Sequence, residues 1–86
     1  MVIGINTVYE FNGRSFHLQA EDLGIDAKVF EVRIYDKGSV LWQKRMAYDD
    51  LLADDLPKSE LEQALRAKME KTLRTVEAAI AKGKIG

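Results

Sequence analysis

The chain predicts an α+β fold: a four-stranded antiparallel β-meander with one long C-terminal α-helix packed on one face. Three observations carry that reading. An Asn12-Gly13 pair is flanked by segments that agree on one register. Residues 28–35 set Phe30, Val32 and Ile34 on one side and Glu31 and Arg33 on the other. Further on, Leu61, Leu65, Met69, Leu73, Val76 and Ile80 recur at helical spacing and form a single apolar stripe.

The first two strands follow from the turn between them. Both residues of an Asn-Gly loop tolerate the positive φ of a type I′ turn, the strongest short-range signal for a hairpin. Folding there pairs segment 4–11 with segment 14–21. Tyr9 then faces Phe16, Thr7 faces Leu18 and Ile5 faces Ala20 on one side of the sheet. Glu10/Ser15, Val8/His17 and Asn6/Gln19 occupy the other side. One dry face and one wet face result.

Six residues, Asp22 to Ala27, join the second strand to the third. A parallel crossover needs more chain than that, so the two strands are antiparallel neighbours. Strand three covers 28–35, and Asp36-Lys37-Gly38 reads as a three-residue loop with Gly38 in the left-handed position. That loop aligns Ile34 with Val40, Val32 with Trp42 and Phe30 with Lys44. The sheet is expected over residues 4–47.

Residues 48–58 read as an acidic connector with room for one helical turn around Leu51 and Leu52. The helix is expected over 59–82, opened by a Ser59-x-x-Glu62 capping box after Pro57 and closed by Gly83. Residues 60–82 make a helix of about 35 Å, whereas eight-residue strands reach about 26 Å. Part of the apolar stripe is therefore expected to overhang the sheet and to seek a partner, most simply a second copy of the chain. Strand one points the same way. It carries no charge before Glu10, and an unprotected edge of that kind invites pairing. Ile5, Thr7 and Tyr9 mark this candidate dimer edge, whereas the fourth strand carries Lys44 and Arg45.

Composition bounds the function. At 47% apolar and 31% charged residues the chain is globular and of single-domain size. Cysteine is absent, which excludes disulfides and thiolate metal sites. Met1-Val2-Ile3-Gly4 lacks the features of a signal peptide, and no apolar run suffices for a membrane span. A cytoplasmic protein without membrane contact is expected. Residues 1–57 hold 6 basic and 10 acidic side chains, a balance of −4, while residues 58–86 hold 7 basic and 4 acidic, a balance of +3. A net charge of −1 exerts no general pull on nucleic acid.

No catalytic, metal or phosphate-binding set stands out, so neither an enzyme nor a cofactor is expected. His17 is the sole histidine, and a metal site or a nucleophilic triad needs more partners than it has. Glu21-Asp22, Asp49-Asp50 and Asp54-Asp55 read as solvated carboxylates rather than acid/base pairs or calcium ligands. Trp42, Tyr9, Phe16 and Phe30 would make a base-stacking platform only if uncovered, and the helix needs them as its floor. The wet face gathers His17, Gln19, Glu21, Arg33, Gln43 and Arg45 with apolar neighbours Val8, Val29 and Leu41. It is the candidate binding face.

The run Phe16-His-Leu-Gln-Ala-Glu-Asp-Leu-Gly24, the strand pair after it and Tyr48-Asp-Asp-Leu51 resemble small uncharacterised bacterial proteins sharing a Tyr/Phe-His-x-Gln-x-Glu-Asp-x-Gly stretch. The resemblance implies no activity, but it marks His17, Gln19, Glu21 and Asp22 as a cluster. In topology alone the chain also resembles the PUR/whirly architecture, whose members dimerise and bind single-stranded nucleic acid on curved sheets. Such binding requires a cationic groove, against which the −4 balance of the sheet half argues. The expected function is a non-enzymatic protein-interaction module, acting as a homodimer with an unknown protein partner. Single-stranded nucleic acid is the alternative.

Overall fold

The computed structural model describes residues 3–53 and 55–85. Strands β1 (Gly4–Phe11), β2 (Arg14–Asp22), β3 (Val29–Asp36) and β4 (Ser39–Ala47) form one antiparallel sheet in the order β1-β2-β3-β4. A single turn, α1 (Asp49–Leu52), and the long helix α2 (Lys58–Ala81) complete the ββββα chain. The fold class and the meander order are as the sequence predicts.

The first hairpin has the expected register, with Tyr9 opposite Phe16, Thr7 opposite Leu18 and Ile5 opposite Ala20. Asn12 and Gly13 both take positive φ, 53° and 76°, as a type I′ turn requires. The second hairpin differs from expectation. Its loop is the two-residue Lys37-Gly38, with φ of 55° and 84°, closed by Asp36 opposite Ser39. A β-bulge next to Ile34/Tyr35 then adds one residue on β4, so Ile34 faces Trp42, Val32 faces Lys44 and Phe30 faces Met46. The bulge reconciles a tight turn with a tryptophan that packs, half-buried, against the dry side of the core. A two-residue loop alone would turn Trp42 to the wet side, and the extra residue returns it to the dry side.

Three main-chain bonds show which strand groups are spent and which are free. The Asp22 N–H donates to the Ile3 carbonyl at 2.9 Å, Leu23 N–H to Val29 at 3.1 Å, and Tyr48 N–H to Lys28 at 2.9 Å. Main-chain groups alternate sides along an antiparallel strand. Odd-numbered residues of β1 therefore bond to β2, leaving Gly4, Asn6 and Val8 facing outward. On β4 the even-numbered residues bond to β3, leaving Gln43 and Arg45 facing outward.

The core lies between the sheet and α2. Phe16, Leu18, Ala20, Phe30, Val32 and Ile34 are buried on the sheet side; all six stripe residues of α2 are buried, and Leu65, Met69, Leu73, Val76 and Ile80 join the sheet residues in one cluster. The expected overhang is therefore corrected: no part of the stripe is left bare. Leu51 and Leu52 of α1, Phe11 and Ile85 all pack against the core, extending its floor beyond the ends of the strands. Phe16 and Phe30 are fully buried, as the core reading expects, and form no stacking platform.

The ends of α2 also divide into one correction and one agreement. The helix begins at Lys58 with Pro57 as N-cap and no side-chain cap bond, so Ser59 lies inside the first turn and the capping box does not form. The fixed φ of Pro57 ends the connector there instead, at −55°. At the far end, Gly83 takes φ 75°. Lys84 N–H donates to Ala79 and Gly83 N–H to Ile80, which is a Schellman closure made by glycine.

Candidate interaction face

Cross-strand pairing arranges the wet face into rows. One row reads Gly4–Glu21–Glu31–Arg45, the next Asn6–Gln19–Arg33–Gln43, and the third Val8–His17–Tyr35–Val40. All six sequence-derived binding-face residues, His17, Gln19, Glu21, Arg33, Gln43 and Arg45, thus lie on one surface. They are distributed along it rather than convergent on a point. Asp22 is not with them. It turns to the dry side and is 2% exposed, because adjacent residues of a strand point to opposite faces. Val40, expected in the core, belongs to the wet face through the bulge and is 50% exposed.

The first row is electrostatically built. Glu31 is buried although it faces the wet side, and it stands opposite the like-charged Glu21. Two arginines offset that arrangement: Arg45 Nε donates to Glu31 Oε2 at 3.2 Å, and Arg33 Nη2 pairs with Oε1. The Arg45 hydrogen bond, acting against desolvation and helped by Arg33, holds the Glu31 carboxyl below the usual glutamate value. Arg33 is in turn fixed in its charged form by the Tyr35 hydroxyl and by Glu31.

The third row is apolar and aromatic. Val8 is 52% exposed, Val40 is equally open, and His17 and Tyr35 lie between them. His17 is exposed and has Val8 and Tyr35, not a carboxylate, as its cross-strand neighbours. A shallow depression of about 390 Å³ opens beside it, lined by Asn6, Gln19 and Tyr35 among others. Among the described residues no three His, Asp or Glu side chains group as a metal site. Among them, too, no helix is long and apolar enough to cross a membrane.

The dimer-edge residues Ile5, Thr7 and Tyr9 are half-buried toward α2. Their strand is an edge, but the free main-chain groups are those of the residues alternating with them. Of the acidic pairs, Asp49 and Asp50 open α1, and Asp50 pairs with Lys68 Nζ at 3.4 Å; Asp54 lies outside the described residues.

Sequence reasoning missed one pair of residues. Tyr48, read as the start of the connector, is fully buried. Its hydroxyl donates to Asp22 Oδ1 at 2.7 Å and lies 3.0 Å from the Gly24 carbonyl oxygen. Gly24 N–H donates to the same Oδ1 at 2.9 Å. Burial and the Asp22 carboxylate push the Tyr48 hydroxyl well above its ordinary pKa. The signal lay in the segments Glu21-Asp-Leu-Gly24 and Tyr48-Asp-Asp-Leu51, which the fold joins through Asp22, Gly24 and Tyr48. This knot pins the 23–28 loop to the end of β4, so Asp22, Gly24 and Tyr48 position the sheet rather than face a ligand. No family model, curated protein or solved structure matches the chain.

Proposed function

We propose that the chain is a non-enzymatic protein-interaction module that binds a protein partner through the wet face of its sheet and associates with itself along β1. The observation that carries this reading is the band Val8–His17–Tyr35–Val40, which crosses all four strands and leaves both terminal valines about half exposed. An exposed apolar and aromatic band beside a row of amides and a guanidinium has the composition of a protein-binding patch. Rigid strands hold it, and the Glu31–Arg33–Arg45 cluster reduces its freedom further, which lowers the ordering cost of binding.

Self-association is supported by the free main-chain groups of Gly4, Asn6 and Val8 on a stretch without charged side chains. Pairing two β1 strands about a two-fold axis would extend the sheet across the dimer. Single-stranded nucleic acid fits less well, because Arg33 and Arg45 already share Glu31 and are not free to neutralise phosphates.

A photo-crosslinking residue placed at position 8, 17 or 40 tests the partner directly in source cells. One protein should be trapped from all three positions, and Val40→Asp should reduce trapping from position 17 at least tenfold without lowering the melting temperature. Empty lanes at all three positions would sink the reading. Retention of random oligonucleotide at low salt, lost on salt titration, would favour the alternative.

A further inference from the structure

We propose that the groove between β4 and α2 docks an extended peptide, which joins the sheet as a fifth strand and presents apolar, acidic and apolar side chains at alternate positions. This site lies on the opposite side of the sheet from the wet face and does not depend on it. α2 approaches β1 and β2 most closely, so the dry side is incompletely covered at β4. Trp42 and Met46 are half-buried there, and Lys44 between them is exposed. A groove of about 190 Å³ runs between them and Val76, Ala79 and Ile85. The two hydroxyls of the helix wall have their protons engaged, Thr72 Oγ1 donating to the Lys68 carbonyl at 2.9 Å and Thr75 Oγ1 to Lys71 at 3.0 Å.

Three features select a strand as the occupant and give it a sequence. The outward main-chain groups of Gln43 and Arg45 border the groove and offer ladder bonds to an added strand. The bulge beside Leu41 ends the regular stretch, leaving Trp42–Ala47 as the template, about 20 Å or six residues of partner. Along the groove, β4 presents an aromatic ring, an ammonium and a thioether at 42, 44 and 46. A facing strand is complementary when it places an acid between two apolar residues. Lys44 has no ion pair among the described residues, so its charge is available.

The same charge argues against a second copy of the chain. An antiparallel β4–β4 pair would bring Lys44 and Arg45 of both copies together, and like charges across a ladder are destabilising. The occupant is therefore an acidic segment of another protein.

Trp42 is the only tryptophan, so its fluorescence reports occupancy. The probe is an acetylated, amidated Leu-Thr-Glu-Thr-Leu-Thr peptide, compared with a twin carrying Lys for Glu and another carrying Pro for the central Thr. The acidic peptide should shift Trp42 emission to the blue with saturation, and both twins should bind at least tenfold more weakly. Lys44→Glu, an exposed change that leaves the core alone, should reverse the order of the acidic and basic peptides. The proposal is overturned by an emission that no peptide moves, by equal binding of the three peptides, or by an order that Lys44→Glu leaves unchanged. A shift that depends on protein concentration alone, in step with dimer formation by sedimentation, would overturn it in favour of a second copy.

Discussion

Tyr48 and Glu31 are buried polar side chains held by partners far away in the chain, the Tyr48 hydroxyl donating to Asp22 and the Arg45 Nε–H donating to Glu31. Tyr48 follows a strand and precedes an acidic segment, yet it ends as a fully buried side chain whose hydroxyl serves Asp22. Removing that hydroxyl leaves a buried carboxylate with fewer partners, which costs about 2 kcal/mol. Tyr48→Phe should accordingly lower Tm by roughly 10 °C for a domain of this size, measurable by circular dichroism. Glu31 belongs to the opposite face and carries a pH dependence. Its carboxyl titrates lower in the folded chain than in the unfolded one. Its contribution is thus complete above the ordinary glutamate range of about 4–5 and is lost as pH falls through the lower folded value. Denaturant titrations of the parent and Glu31→Gln should differ at pH 7 and converge in acid; a gap that widens below pH 4 would refute the assignment.

Turns and caps decide the elements, and here the local chemistry was readable to differing degrees. Asn12-Gly13 announces its turn because both residues favour positive φ. Lys37-Gly38 hides one, because Lys37 adopts φ 55° at a cost of about 1 kcal/mol. Asparagine tolerates that conformation better, so Lys37→Asn should raise stability by about 0.5 kcal/mol in a chemical melt. A destabilised variant would mean that the loop is not the two-residue turn. The bulge that follows was invisible locally, since nothing in Val40-Leu41-Trp42 says which residue is extra. Only the packing of Trp42 against the dry side of the core settles it. The start of α2 shows the converse: a capping-box spacing is present, but Pro57 sets the boundary one residue earlier and makes it redundant.

For the whole molecule, the helix stripe is buried within one chain, so the proposed self-association is assigned to a strand edge rather than to a bare helix end. β1 offers its outward amides at Asn6 and Val8, and proline is tolerated on an edge when its nitrogen faces away from the ladder. Asn6→Pro should therefore leave the hairpin intact, with an unchanged far-ultraviolet spectrum, while converting a dimer to monomer in sedimentation velocity. A dimer that survives the substitution would exclude β1 as its interface. Thr7 would be the wrong position for this test, because its amide faces β2.

Hydrophobic periodicity and one glycine turn were enough to establish the strand order, the first hairpin register, the dry and wet faces and all six buried positions of α2. Those features depend on neighbours close in the chain, and a period of two or of 3.6 states them directly. Packing between distant segments decided the rest: the bulge that moves Val40 outward, the burial of Tyr48 on Asp22, the packing of Ile85, Leu51 and Leu52 against the core, and the open groove beside β4. Each of those is the outcome of filling one volume with residues far apart in sequence, a condition that no local pattern can express.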